Sequence, residues 1–482
     1  MTILKASIMI LAAALLPSAL GQTSGIQSAN QAGNPTSQEP AAPKTAQDFE
    51  ALARGIVSDL AARRFDAVAT RFTPQMSAAL PGSKLAELWD ALLAKTGAFH
   101  SIRSASTSEL QAYHVVVLVC SFESSEVGLR VVLDSQGRFA GLSFVPAASS
   151  IPWTQPDYAH PDSFTEQPIT VGQDPVKLNG TLTLPNGKGP FPAVVLVHGS
   201  GATDQDETVG PNKPFKDLAW GLAGRGIVVL RYNKRTFQHP ESFKGAKFTV
   251  EQESIEDARA GVTLLAARPE IDPKRIFVVG HSLGAMLAPR IAAEDGRLAG
   301  IVLMAGITRP MEDVIVEQVK YEVGLAGKPT PEGDKQIAAV EKMAADIRNP
   351  KLTPDQTVDM LGVPMPGAYV LDLRAYDPAH TASTLKIPIL VLQGARDCQV
   401  RIADYDGWKK ALAGYPHATF HLYPNLYHLF INVPASDTTP LSTPQDYEQP
   451  GHVAAEVVAD IAAWINNSAP ALFGAFLPLF SN

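Results

Sequence analysis

Residues 275–286 read RIFVVGHSLGAM, and this stretch decides the fold. Residues 276–279 (IFVV) are apolar and mostly β-branched, the pattern of a strand buried on both faces. Gly280, His281, Ser282, Leu283 and Gly284 follow, and then Ala285, Met286, Leu287 and Ala288, which favour a helix. An apolar strand, a tight Gly-x-Ser-x-Gly turn and a helix together make a nucleophile elbow. Such a turn is too sharp for a Cβ at either glycine. It leaves a serine hydroxyl at the tip, facing the positive end of the following helix. Five residues alone are a weak match, because Gly and Ser are common; the flanking strand and helix give it weight.

Working outward, residues 176–184 (VKLNGTLTL) alternate as an edge hairpin does, and Pro185-Asn186-Gly187 makes a turn. Short apolar strands are expected at 193–197, 227–230, 300–304, 389–392 and 419–423. Helical spacing lies between them at 216–225, 254–268 and 284–294. Strands alternating with helices predict an α/β fold with a mostly parallel sheet covered on both faces. Ligands bind such sheets at the carboxyl ends of the strands. Residues 308–380 break the alternation, with helical pieces at 311–324 and 333–347 and a Pro/Met/Gly stretch at 363–369. This insertion is expected to be a helical lid, and Met311, Met343, Met360 and Met365 would give it an adaptable apolar surface. Residues 451–465 (GHVAAEVVADIAAWI) read as a closing amphipathic helix. The apolar tail 468–482 is expected to dock on the surface or on a second copy, which leaves a homodimer open.

A serine hydroxyl is a poor nucleophile until a base takes its proton, and the base needs a partner to hold its tautomer. Downstream of Ser282, Asp397 follows an apolar strand and the Gly394 turn in IPILVLQGARDCQV. Asp377, Asp404 and Asp406 lack such a strand before them. His428 follows the strand in ATFHLYPNLYHLF; His417 and His421 lie before or inside it, and His452 opens the last helix. Ser282, Asp397 and His428 are therefore the expected nucleophile, orienting acid and base, in the chain order Ser, acid, His. A developing oxyanion needs backbone N–H donors. Leu283, just after the nucleophile, supplies one; Ser200, in the His198-Gly199-Ser200-Gly201 loop after residues 193–197, is the expected second.

HGSG, GHSLGAM, QGARD and NLYH stand in the order of a known family, as does LRYNKR. Residues 166–467 resemble the α/β-hydrolase fold, and within it the bacterial serine esterases of dienelactone-hydrolase-like and S9-peptidase-like type. The resemblance implies an acyl-enzyme on Ser282, a small-molecule ester substrate and no cofactor. Relatives carry an RYDKRG loop where this chain has Asn233 and Thr236, so substrate preference does not carry over. Arg231 and Arg235 beside that loop are expected to be structural, with a carboxylate clamp as the alternative. The rival functions are an exported peptidase of prolyl-oligopeptidase type and, in another class, a ligand-binding protein with an idle hydrolase core.

The rest of the chain frames this core. Net charge is −8 over 482 residues, and no basic concentration points to nucleic acid or an anionic membrane surface. Lys5, an uncharged apolar run at 8–16 and Ala19-Leu20-Gly21 read as a signal peptide (1–21) cleaved before Gln22. The run is shorter than the ~20 residues of a membrane span. The mature protein is thus expected to be soluble and periplasmic or secreted, with no membrane anchor. Residues 22–44 read as a flexible linker. Residues 45–147 form a separate α+β unit, with helical spacing from Phe49 and from Leu85 and strands at 99–105, 113–122, 127–133 and 139–144. It resembles the uncharacterised NTF2-like (DUF3887-type) unit that precedes hydrolase domains in some bacterial proteins. Residues 148–165 read as a connector. Cys120 and Cys398 are expected to be two separate buried thiols, and no metal-ligand spacing occurs.

Overall fold

The computed structural model describes residues 45–468, apart from positions 81, 111–112, 147–151, 244, 246 and 435–438. The expected signal peptide (1–21), the expected linker (22–44) and the expected apolar tail beyond Ser468 lie outside the described residues. The chain divides into two compact units, the second beginning at Thr154.

The first unit has helices at Ala46–Ala61, Phe65–Ala69, Pro74–Ala79 and Gly82–Thr96. Four strands follow: β1 (Phe99–Leu110), β2 (Tyr113–Phe122), β3 (Glu126–Asp134) and β4 (Phe139–Pro146). They form an antiparallel sheet in sequence order. Thr45 caps the first helix through a reciprocal box with Asp48. That helix lays Phe49, Ala53, Ile56 and Leu60 on Val116, Leu118, Leu129 and Val131 of the sheet. The period of 3.6 on the helix and of 2 on the strands thus meet in one small core.

The second unit is built on β5 (Phe164–Gln173), β6 (Val176–Pro185), β7 (Phe191–Val197), β8 (Val228–Tyr232), β9 (Ile271–His281), β10 (Gly300–Met304), β13 (Ile389–Gly394) and β14 (Ala418–Tyr423). Their spatial order is β14-β13-β10-β9-β7-β8-β6-β5. The six strands from β14 to β8 run parallel; β6 is antiparallel to β8, and β5 to β6. The alternating stretch at 176–184 is therefore the inner arm of its hairpin. β5, whose first residue Phe164 lies within the expected connector, is the edge. Strands β7, β10 and β13, and β9 from Ile276 onward, are buried almost throughout, as parallel strands covered by helices must be. Because they are parallel, their carboxyl ends open on one rim.

The interruption follows β10. It comprises helices Met311–Gly324 and Pro331–Arg348, a hairpin of β11 (Thr357–Met360) and β12 (Val363–Pro366), and helices Gly367–Ala375 and Pro378–Thr384. The hairpin was not expected: its turn, Leu361-Gly362, has φ of 56° and 93°, and leucine is a rare residue for that role. Buried Asp404 accepts from the backbone N–H of Thr308 and of Arg309 and from the Arg309 guanidinium, fixing the insertion at its base. The insertion also binds the elbow helix, Leu283–Glu294: the Tyr376 hydroxyl donates to the Met286 carbonyl at 2.9 Å, and Arg290 pairs with Asp372. The helix Ala455–Asn467 closes the unit, packing Ile461 and Ile465 into the core.

Candidate active site

At the carboxyl end of β9 the chain turns straight into the elbow helix. Ser282 has φ 54° and ψ −114°, a conformation that few non-glycine residues adopt. Its N–H donates to the Met304 carbonyl at the end of β10, and its carbonyl accepts from Met286, so the strain is held from both sides. A Cβ on Gly280 would come 2.3 Å from the Gly284 carbonyl oxygen. One on Gly284 would come 2.1 Å from the Val197 carbonyl oxygen. Both glycines are required by close approach of backbone to backbone, and the second locks the elbow against the end of β7.

Asp397 stands just beyond β13 and is 1% exposed. Its Oδ1 accepts from the N–H groups of Gln399 and Val400 at 2.7 and 2.9 Å. Its Oδ2 lies 2.8 Å from Nδ1 of His428, which is as deeply buried. A carboxylate only accepts, so His428 Nδ1 carries the hydrogen, and Nε2 has the lone pair in the neutral ring. Among the described residues the hydrogen bonds of His428 are this one and the one its carbonyl accepts from His281, and none reaches the Ser282 hydroxyl. Such contacts are often long without substrate and tighten in the Michaelis complex. His281 ties the two arms together: its ring packs 4.6 Å from that of His428, and Ser282 is the next residue.

The other acids and imidazoles are engaged elsewhere. Asp404 holds the insertion, Asp377 caps the helix Pro378–Thr384, and Asp406 is exposed. His421 pairs with Asp460 and His452 with Asp217. Arg231 is buried between Glu166 and Asp206, and Arg235 pairs with Asp257, so both are structural.

The loop after β7 lies against the elbow, where a Cβ on Gly199 would meet that of Ser282 at 3.2 Å. The Gly199 N–H is taken by Glu207 Oε1 at 2.6 Å. That of Ser200 has no partner among the described residues. Leu283 is the first residue of its helix, where the N–H has no acceptor within the helix. Both N–H groups are therefore free to receive a negatively charged oxygen.

Buried charge supports this loop, and sequence reasoning missed it. Glu207 Oε2 lies 2.9 Å from His281 Nδ1, and His281 Nε2 donates to the His428 carbonyl at 2.9 Å. Burial disfavours the His281 imidazolium, but the Glu207 carboxylate outweighs it and the pKa is raised. Burial likewise works against the Glu207 carboxylate, and His281 outweighs it to lower that pKa. His198, by contrast, is pushed down to about 4 by burial and is neutral. Lys234 and Glu253 form a second buried pair at 2.8 Å. The local signal for Lys234 was a charge two residues past β8, a strand that opens on three apolar residues, at the carboxyl rim of a parallel sheet.

A cavity of about 250 Å³ lies between the insertion and the elbow helix, lined by Met286, Met311, Met360, Tyr369, Leu373 and Tyr376 among others. Its arginines are engaged: Arg309 pairs with Asp404 and Glu317, and Arg374 donates to the carbonyls of Ile347 and Asn349. Ser282, Asp397 and His428 do not line it. Met343, expected in the same apolar surface, is buried in the core instead. Among the described residues no group of three or more His, Cys, Asp or Glu could hold a metal ion.

An eight-stranded, mostly parallel sheet with an elbow serine and a buried Asp–His pair on one rim defines an α/β-hydrolase. The chain belongs to the family described as serine aminopeptidase, S33, whose model matches residues 189–434. Residues 53–142 match a second family, described as a protein of unknown function (DUF3887). The chain is 38% identical over 419 residues to Esterase EstD of Thermotoga maritima, covering 86% of this chain and 95% of that one. It is an esterase-type hydrolase. Among solved structures it is similar to Est1E from Butyrivibrio proteoclasticus, at 16% identity and TM-score 0.41, covering 62% of this chain and 98% of that one. It is also similar to the acylaminoacyl peptidase of Pyrococcus horikoshii, at 12% identity and TM-score 0.44, covering 78% and 57%.

Proposed function

We propose that the protein is an exported carboxylic ester hydrolase working through an acyl-enzyme on Ser282. The observation that carries this reading is the buried 2.8 Å pair of Asp397 and His428 beside an elbow that holds Ser282 at φ 54°. Ser282 Oγ attacks the ester carbonyl carbon while His428 Nε2 takes its proton. The negative oxygen that forms accepts from the N–H groups of Ser200 and Leu283. Asp397 holds the ring and offsets its charge. The carbon–oxygen bond to the alcohol then breaks, and the alkoxide takes the proton from His428. Water attacks the acyl-enzyme with His428 again as base, releasing the acid and restoring the serine.

The insertion acts as a lid in this reading, since it docks on the elbow helix through Tyr376 and Asp372. Met286, which lines the cavity beneath it, lies one helical turn from Ser282. The methionine, leucine and tyrosine side chains on one part of that cavity suit the apolar chain of a short- to medium-chain acyl group. Export rests on the charged, apolar and small-residue order of positions 1–21. N-terminal sequencing of the mature protein tests it: Gln22 first supports export, and an intact Met1 overturns it.

A fluorophosphonate probe is expected to label the wild type and to leave Ser282→Ala unlabelled. An unlabelled wild type would return the idle-core binding protein to the front. A panel of p-nitrophenyl esters beside aminoacyl and prolyl amides is expected to show turnover of the esters. Faster turnover of the amides would move the protein to the peptidases that its family description names.

A further inference from the structure

We infer that Lys234 is a positioning residue for the oxyanion donor, acting on the peptide that joins Gly199 to Ser200. This rests on the esterase reading above and deepens it. Lys234 is 2% exposed, yet it carries an ammonium group. Burying such a group is costly unless it is paired and hydrogen-bonded. Two groups answer it: Glu253 Oε1 at 2.8 Å and the Gly199 carbonyl at 2.8 Å.

The second contact matters for the reaction. The Gly199 carbonyl and the Ser200 N–H belong to one peptide unit, which is planar and has its C=O and N–H pointing opposite ways. A cation on the oxygen therefore fixes where the N–H points, on the far side from Lys234. It also draws electron density toward the oxygen and makes the N–H a stronger donor. The preceding peptide is pinned as well, because the Gly199 N–H donates to Glu207 at 2.6 Å. The loop is held on both sides of Gly199 before any substrate arrives, which is what an oxyanion site needs to avoid reorganising during reaction.

Lys234 is itself held in place. Glu253 lies in a single π-helical turn, Glu251–Ile255, and its Oε2 accepts from the Tyr369 hydroxyl at 2.7 Å. Tyr369 belongs to the insertion, in the helix Gly367–Ala375. Burial, with the Glu253 carboxylate adding to it, raises the Tyr369 pKa, so the phenol keeps its proton and remains a donor. A continuous series of contacts thus runs from the insertion through Tyr369, Glu253 and Lys234 to the Gly199 carbonyl.

The test compares the wild type with Lys234→Met/Glu253→Gln, which leaves no unpaired buried charge, and with Lys234→Arg, which keeps a cationic donor. Fluorophosphonate titration counts competent sites and thermal unfolding confirms the fold. On p-nitrophenyl butyrate the double variant is expected to lose roughly tenfold to a hundredfold in kcat, with KM within about twofold. A trifluoromethyl ketone, which forms the tetrahedral oxyanion, should bind more weakly in proportion, and Lys234→Arg should recover part of both losses. A folded double variant with kcat and ketone affinity both within about threefold of the wild type overturns the inference and leaves the esterase reading standing. So does a loss carried by KM alone. A wild type inert to ester and probe overturns both.

Discussion

At the scale of single residues, the chemistry depends on which nitrogen and which oxygen face each other. Asp397 Oδ2 meets His428 Nδ1, and two backbone N–H groups keep Oδ1 turned away. Asp397→Asn keeps the shape but presents an amide that can donate, which stabilises the wrong tautomer of His428. We expect kcat to fall by about 10⁴-fold with the fold retained, read by steady-state ester hydrolysis beside circular dichroism. The Glu207–His281 pair gives a pH prediction. The raised pKa of His281 contributes stability present below its ordinary value and lost as pH rises through the raised one. The lowered pKa of Glu207 contributes stability present above its ordinary value and lost as pH falls through the lowered one. Their joint contribution is therefore fullest between about pH 4.5 and 6.5, the two ordinary values. Glu207→Gln keeps an acceptor for Gly199 but removes the charge. The gap in unfolding temperature between wild type and this variant should be wider at pH 6 than at pH 9; an equal gap would show that the pair does not carry charge.

At the scale of elements, the elbow and the strand ends were legible because they are local. An apolar strand, two glycines and a helix-forming run lie within a dozen consecutive residues, and no distant partner is needed to recognise them. Asp397 and His428 were legible for the same reason, each following its own apolar strand. Lys234, Glu207 and Glu253 were not, because their partners are remote in sequence. Lys234 reaches back 35 positions to Gly199. Nothing beside it shows that its ammonium will be buried. The hairpin of β11 and β12 was missed because Leu361-Gly362 makes a turn that usually announces itself with Asn or Asp. The elbow helix lies very close against the end of β7. Gly284→Ala would drive a methyl into the Val197 carbonyl oxygen. We expect it to destabilise the second unit by about 1–3 kcal/mol in chemical denaturation. Ester turnover should be largely lost, because the Leu283 N–H moves with the turn.

At the scale of the whole molecule, each unit has a large hydrophobic core built from its own helices and strands, and a smaller cluster gathers around Tyr427 and Tyr447. Every residue assigned to the reaction belongs to the unit that begins at Thr154. Leu129 is wholly buried in the core of the first unit. Leu129→Ala is expected to cost that unit about 2–5 kcal/mol and to leave kcat unchanged at temperatures where the second unit stays folded. A parallel loss of kcat would instead assign the first unit a part in the reaction.

The rim of the sheet has a last consequence, for synthesis. The oxyanion loop leaves β7 near residue 198, while His428 follows the outermost strand, β14. In the mechanism proposed above, Ser282 therefore emerges from the ribosome long before its base, His428, exists. A nascent chain stalled before Tyr423 would hold an elbow serine that no imidazole can activate. In that mechanism the protein is synthesised inert, and hydrolysis can begin only once translation has passed β14.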